Sequence, residues 1–370
     1  MHLVQVLVSL NLGGSEFVAV ELSEFALAAG HRVTVIAEDG PLGDRLRLSG
    51  ARHLAWPLGR KRPATLREVS RLRRWLEAEG PDLVHAHSRL PAWVCRWALR
   101  GLPAKRRPAF VTSMHGHYSV SRYSAVMAGG DRVIAVSGAV RAYILRNYPG
   151  TDLARVVTVP GGVSRDTFRH GYRPPPDWFH RVHREFPRLR DRRWLCLPGR
   201  LSRYKGHVDF IELLAKLRLV HPDVHGVIVG QAASGTRFRD ALEGLAARHG
   251  LVEALTFTGP RLDMRDWLSA SAIVYSLCAD PPEAFGRTVP EALHLGVPVI
   301  GWNHGGVQET LAALFPQGAV APGDRQALLR RSLAFLERPP VVPPSAAYGL
   351  RESMRRTLAV YEDLIGERRQ

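Results

Sequence analysis

The chain alternates short apolar runs with longer stretches in which Leu, Val and Ala recur every third or fourth position. Runs at Leu3–Ser9, His31–Ala37, Asp82–Ser88, Phe110–Ser113, Arg132–Ser137 and Val156–Pro160 read as strands, each short and rich in β-branched residues. Between the first two, Phe17, Val18, Val20, Leu22 and Phe25 mark a helix behind the loop Asn11–Ser15. Thr65–Glu79 is an amphipathic helix, with Leu66, Val69, Leu72 and Leu76 on an apolar face and Arg67, Arg71 and Arg74 on the other. Strands joined by helices predict a doubly wound parallel sheet.

The pattern then breaks and restarts. From Phe168 to Arg193 the chain is rich in proline and arginine and reads as an interdomain connection. A second series of strands follows at Trp194–Pro198, His225–Gly230, Leu255–Gly259, Ile273–Leu277 and Val297–Ile300. Helices are predicted at Phe210–Leu217, Thr236–His249, Met264–Ala270 and Ala327–Leu336, with a long closing one at Ala346–Ile365. The expected architecture is α/β: one Rossmann-like domain at 1–165, a connection at 166–193, a second such domain at 194–344 and a closing helix at 345–370.

Composition changes this picture in one respect. With 370 residues, 45% hydrophobic and 23% charged, the chain is globular and long enough for two domains. Its formal charge is +17, nearly all from arginine, since lysine occurs only at 61, 105, 205 and 216. Such a balance implies an anionic partner, whether nucleic acid, membrane or phosphorylated glycan, or else a solvated basic surface. Arg60, Lys61 and Arg62 join the arginines of the Thr65–Glu79 helix in a basic patch suited to anionic lipid headgroups, and Lys105, Arg106 and Arg107 extend it. Trp56, Trp75, Trp93 and Trp97 lie nearby as core residues or interfacial anchors. Cys95, Cys196 and Cys278 are too dispersed for a zinc site or disulfide framework, which suits a reducing compartment. The first residues read as a strand, not a leader, and no apolar run approaches the roughly 20 residues of a spanning helix.

The candidate chemistry centres on PPEAFGRTVPEALHLGVPVIGWNHGGVQET, residues 281–310. Pro281-Pro282 enforces an extended approach, and a helix is predicted from about Phe285 to Gly296. Backbone N–H groups at a helix start beside a glycine suit phosphate. Glu283 and Glu291 beside them suit hydroxyl groups. An anion site flanked by two hydroxyl acceptors fits a sugar nucleotide. A second cation-bearing loop, Gly199–His207, follows a strand and has the outline of a phosphate cradle; Arg203 within it is either a phosphate contact or a surface charge. His115 follows a strand end and is a candidate for contacting a sugar; His85, His87 and His117 read as structural.

Glu283 and Glu291 with seven residues between them, then GVPVI and His304-Gly305-Gly306 with Glu309, resemble the retaining GT-B glycosyltransferases of the family 4 (group 1) type. The resemblance covers nearly the whole chain and implies a GT-B fold: two doubly wound Rossmann-like domains facing a cleft, with a C-terminal helix crossing back to the first. It implies that Glu283 touches the donor sugar, that the amides of Ala284, Phe285 and Gly286 touch sugar and diphosphate, and that Glu291 binds the ribose. Arg200 and Lys205 would lie on the diphosphate, His115 near the donor sugar, and the Gly13-Gly14 loop opposite the donor phosphates unless it is a plain tight turn. Gly161-Gly162-Val163-Ser164 stands in place of the usual Asn-Gly-Val-Asp and marks the crossover.

The expected activity is transfer of a sugar from a nucleotide-diphosphate donor, UDP-sugar first and GDP-mannose second, to a glycan or lipid-linked acceptor. The first domain looks similar to enzymes building lipopolysaccharide core and other surface glycans. No Asp-x-Asp occurs, so fixed cations rather than a metal are expected to stabilise the leaving diphosphate, and no cofactor is implied beyond the nucleotide sugar. The expected location is cytoplasmic, with peripheral contact at the inner membrane face, and nucleic acid is not an expected partner. Rival readings are a glycosidase, a sugar-nucleotide epimerase of similar fold, and a basic nucleic-acid binder.

Overall fold

A computed structural model describes residues 1–59, 65–232 and 237–369. The chain divides into two compact units, Met1–Gly162 with Leu350–Gln370, and Val163–Gly349.

The first unit runs β1 (His2–Ser9), α1 (Gly14–Ala28), β2 (Arg32–Glu38), α2 (Gly43–Leu48), β3 (Arg52–Ala55), α3 (Thr65–Glu79), β4 (Leu83–Ala86), α4 (Arg89–Arg100), β5 (Ala109–Met114), β6 (Arg132–Ala135), α5 (Gly138–Asn147) and β7 (Val156–Thr158). Its seven strands are parallel in the order β3-β2-β1-β4-β5-β6-β7. Central strands are apolar on both faces because helices cover both sides, so Leu3, Val4, Val6, Val35, Val84 and Val111 are fully buried. The short edge strand β3 is absent from the sequence reading. Its four residues are at least partly exposed and two of them, Arg52 and His53, are polar, so no long apolar run announces it.

The second unit contains α6 (Pro176–Glu185), β8 (Arg193–Pro198), α7 (His207–Arg218), β9 (Val224–Val229), α8 (Phe238–Arg248), β10 (Leu255–Gly259), α9 (Met264–Ser269), β11 (Ser271–Ser276), α10 (Thr288–Leu295), β12 (Val299–Trp302), α11 (Gly305–Leu314), β13 (Ala319–Val320) and α12 (Arg325–Glu337). The parallel order is β10-β9-β8-β11-β12-β13. The last helix, α13 (Leu350–Arg369), belongs to the first unit, where Leu358, Tyr361 and Leu364 join its core.

Three expectations are revised. The helix expected from Phe285 starts at Thr288, because Gly286 adopts φ +74° and interrupts any earlier helical path. It ends as expected at left-handed Gly296. Leu66, assigned to the buried face of α3, is 66% exposed, whereas Leu72 and Leu76 are buried. The stretch 166–193 is more than a connection: it carries α6 and is part of the second unit. Trp178 packs with Trp267 at 5.3 Å between ring centroids and with Trp194 at 6.0 Å, and its indole N–H donates to Asp263 Oδ2 at 2.6 Å. Proline and arginine content signals a linker, but Trp178, packed on Trp194 and Trp267, ties this segment into the second unit's core.

Of the expected basic patch, Arg60, Lys61 and Arg62 lie outside the described residues. Arg67 and Arg74 are exposed, while Arg71 stacks over Trp56 at 4.1 Å and pairs with Glu68. Trp56 is buried and Trp97 is 41% exposed. Among the described residues no helix is long and apolar enough to cross a membrane.

The role of 166–193 is testable. Trp178→Ala removes a large buried ring and should destabilise the protein by about 3–5 kcal/mol in denaturant unfolding, as large-to-small core changes do. A loss below about 1 kcal/mol would return the segment to the status of a linker.

Candidate active site

In the second unit the loops after β8 and β11 are locked together. Gly206 adopts φ +78°, and a Cβ there would overlap Leu277 O and Cβ. Only glycine permits this approach. Ala279 N–H then donates to Tyr204 O at 2.9 Å. The contact brings the Lys205 ammonium onto the Glu283 carboxylate as a salt bridge, with about a fifth of each side chain exposed. Burial, the largest single influence, pulls the ammonium's pKa down, but the Glu283 charge and hydrogen bond together with smaller contributions from its neighbours outweigh it and the net shift is upward. Lys205 is therefore held cationic. The adjacent Cys278 thiol is pushed up to about 12 by burial and by Glu283, so it is not a thiolate.

The segment before α10 is pinned from the other side by α11. His304 Nε2 donates to Cys278 O at 2.7 Å, and Gly306 N–H donates to Glu283 O at 2.8 Å. A Cβ on Gly305 would stand 2.5 Å from Glu283 O, and one on Gly306 would overlap Ala284 O. The glycine pair thus serves close packing, and the Gly306 amide is spent on Glu283. Among the described residues, the amides of Ala284, Phe285 and Gly286 meet no acceptor. They form a short run of donors without acceptors, next in the chain to Glu283, of a kind suited to an oxyanion.

Glu291 lies on α10, 5% exposed, with Arg287 Nε donating to its Oε1 at 2.7 Å. Arg287 is a partner the sequence reading missed, although its i, i+4 spacing to Glu291 was a signal. Arg200 follows Gly199, is exposed, and among the described residues makes no hydrogen bond or ion pair. Arg203 is also exposed.

His115 and the Gly13-Gly14 loop lie in the first unit. Gly13 caps α1, and the Glu16 carboxylate lies over it, so this helix start already carries a negative group. His115 follows β5. Its Nε2 lies 3.0 Å from His87 Nδ1, and His87 Nε2 lies 2.9 Å from Gln5 Oε1. Burial lowers the His115 pKa to about 4 and holds His85 and His87 well below the ordinary histidine value. His87, read as structural from sequence, thus supports the one histidine read as functional. The missed signal was Gln5, a polar residue inside the apolar run LVQVLV. Among the described residues no group of three or more His, Cys, Asp or Glu side chains is placed to hold a metal ion.

The chain is similar to known proteins along most of its length. Residues 12–167 match Glycosyltransferase Family 4, and residues 181–355 match Glycosyl transferases group 1. The lipopolysaccharide core biosynthesis mannosyltransferase LpsB of Rhizobium meliloti (strain 1021) is 26% identical over 311 residues, 79% of this chain and 82% of that protein. Among solved structures, a glycosyltransferase from Rickettsia africae ESF-5 superposes with a TM-score of 0.80 at 23% identity, over 98% of both chains. Anabaena Alr3699/HepE in complex with UDP and glucose does so with a TM-score of 0.80 at 20% identity, over 99% of both chains.

Two outcomes are expected. Gly306→Ala should cost about 1–3 kcal/mol in stability, the usual range for overpacking, and displace the Ala284–Gly286 amides. An unchanged unfolding midpoint would show that α11 does not clamp this loop. Separately, His85, His87 and His115 have folded-state pKa values below their unfolded value near 6.5. The unfolded chain therefore binds protons first as pH falls. The stabilisation is complete above about pH 6.5 and is lost from there down towards about pH 4, by up to about 1.4 kcal/mol per pH unit for each group. Urea midpoints that do not fall between pH 7 and pH 5 would contradict this.

Proposed function

The chain belongs to the group 1 glycosyltransferases of the family 4 type, and we propose that it moves a sugar from a nucleotide-diphosphate donor to a glycan or lipid-linked acceptor with retention of anomeric configuration. One observation carries this reading: three backbone amides without acceptors follow in the chain after a carboxylate that holds an ammonium. Amides and ammonium suit a diphosphate, and the carboxylate suits sugar hydroxyls. The lysine has three donors and spends one on Glu283, so the others are free to meet a phosphate. Arg200 adds a guanidinium without a partner among the described residues. Glu291 is the candidate ribose acceptor, with Arg287 holding its carboxylate in one orientation.

In the transfer, the bond between the anomeric carbon and the β-phosphate oxygen breaks while the acceptor oxygen attacks the same face. Negative charge grows on the leaving phosphate, where fixed donors lower the barrier without reorganising. The leaving phosphate oxygen takes the acceptor's proton. Fixed cations here do the work a metal does elsewhere, so turnover is expected to survive chelators. His115, neutral, is the first unit's candidate for a contact with a sugar hydroxyl.

Structures of Anabaena Alr3699/HepE with UDP and glucose and with UDP-glucose favour a UDP-sugar as first choice. The mannosyltransferase relative keeps GDP-mannose as second and favours an acceptor in lipopolysaccharide or another surface glycan. The exposed Arg67, Arg74 and Trp97 support peripheral contact with an anionic membrane surface from the cytoplasmic side. The epimerase, glycosidase and nucleic-acid readings gain no observation of their own.

A panel of nucleotide sugars, followed by hydrolysis and thermal shift, tests the donor. Lys205→Ala and Glu283→Ala should each lower turnover by about 10²–10³-fold with unfolding midpoints that still report a folded protein, the range seen when one transition-state donor is removed. Unchanged turnover in both would remove the site. Proton NMR of the product reads the anomeric outcome, and inversion would refute the same-face step. Flotation with anionic and neutral vesicles reads the membrane contact, which equal binding to both would contradict.

A further inference from the structure

The hydrogen bonds around His115 determine which of its nitrogens carries a proton. Gln5 Nε2 lies 2.8 Å from Ala19 O, which can only accept, so this end of the amide is the NH₂ group. Its second hydrogen goes to Ser23 Oγ at 2.7 Å, because Ser23 donates its own proton to Ala19 O. Gln5 Oε1 therefore faces His87 Nε2, and that nitrogen must be N–H. A neutral His87 then has a lone pair on Nδ1, which accepts from His115 Nε2–H at 3.0 Å. The other nitrogen of His115, Nδ1, has no hydrogen-bond partner among the described residues.

We propose that Gln5 and His87 are positioning residues that lock His115 as its Nε2–H tautomer, so that Nδ1 offers a lone pair to a substrate hydroxyl. The inference rests on the reading of His115 as a substrate contact. It specifies what that contact is: a hydrogen-bond acceptor for a sugar O–H, not a proton donor to the leaving group. The relay is rigid because each member is fixed by the next, back to the α1 backbone at Ala19. His85 buttresses it from behind, its ring 3.9 Å from that of His87, with Tyr361 Oη on its Nδ1 at 2.6 Å and Ser113 Oγ on its Nε2 at 2.8 Å.

The test is a long-range ¹H–¹⁵N spectrum of the full chain labelled at histidine, with His115 assigned by the signals lost in His115→Asn. A pyrrole-type Nε2 and a pyridine-type Nδ1 at neutral pH are expected. An Nδ1–H tautomer or an imidazolium would overturn the proposal. Gln5→Leu should mix the two tautomers of His115 and lower turnover by about tenfold, the scale of one hydrogen bond. Unmoved His115 signals in a folded Gln5→Leu protein would also overturn it. Should Gln5→Leu fail to fold, the wild-type spectrum still decides. A locked Nε2–H tautomer in a protein that turns over no nucleotide sugar would sink the functional reading and leave the relay standing.

Discussion

The salt bridge between Lys205 and Glu283 is the constraint from which the second unit's site takes its shape. Each side chain is about four-fifths buried, so removing either would leave a largely desolvated charge without a counter-charge. The loops after β8 and β11 must therefore stay in register, and the remaining contacts serve that end. Gly206 allows the backbones to touch, Tyr204 O receives the Ala279 amide, and His304 and Gly306 hold the same segment from α11. With the loop fixed on both sides, the amides at 284–286 keep their directions without a ligand's help. That is the preorganisation electrostatic catalysis requires.

The first unit solves its burial problem without charge. His85 and His87 sit in and just after β4, a central strand with β1 on one side and β5 on the other, where an imidazolium would be strongly disfavoured. Each is neutral and has a partner on both ring nitrogens. A buried polar network fully satisfied in this way is rigid, whereas one with a missing member is costly. The last helix contributes directly, since Tyr361 of α13 supplies one of these partners.

Much of this was legible in the sequence, and what was not has physical causes. Apolar runs disclosed the central strands of both sheets because those strands are buried on two faces. They could not disclose β3 or β13, which are short edge strands with little to bury. Glu283, Glu291, Arg200 and Lys205 are candidates through their resemblance to the family's motifs, and the structure brings Lys205 onto Glu283. The helix α10 is expected from Phe285 because Val289, Ala292, Leu293 and Leu295 recur at helical spacing, and nothing in the sequence says that Gly286 takes a left-handed conformation. The glycines at 305 and 306 were recognised, but their use was not. The structure uses them to bring α11 against Glu283. His87 was set aside because a lone histidine carries no periodicity. Its meaning appears only when parallel pairing puts Gln5 beside His85 and carries the chain past it.

The two units share a deeper regularity. In a doubly wound sheet the connections leave opposite faces on either side of the point where strand order reverses, which opens a crevice at the carboxyl ends of the strands there. In the first unit the reversal lies between β1 and β4, and in the second between β8 and β11. Gln5 of β1 meets His87 after β4 across the first, and Lys205 after β8 meets Glu283 after β11 across the second. No backbone ladder can close such a crevice beyond the strand ends, so a side-chain contact must do it. That contact is polar in both units. The chemistry differs, a neutral relay in one and an ion pair in the other, since the first contact is fully buried and the second lies in loops that retain some access to water.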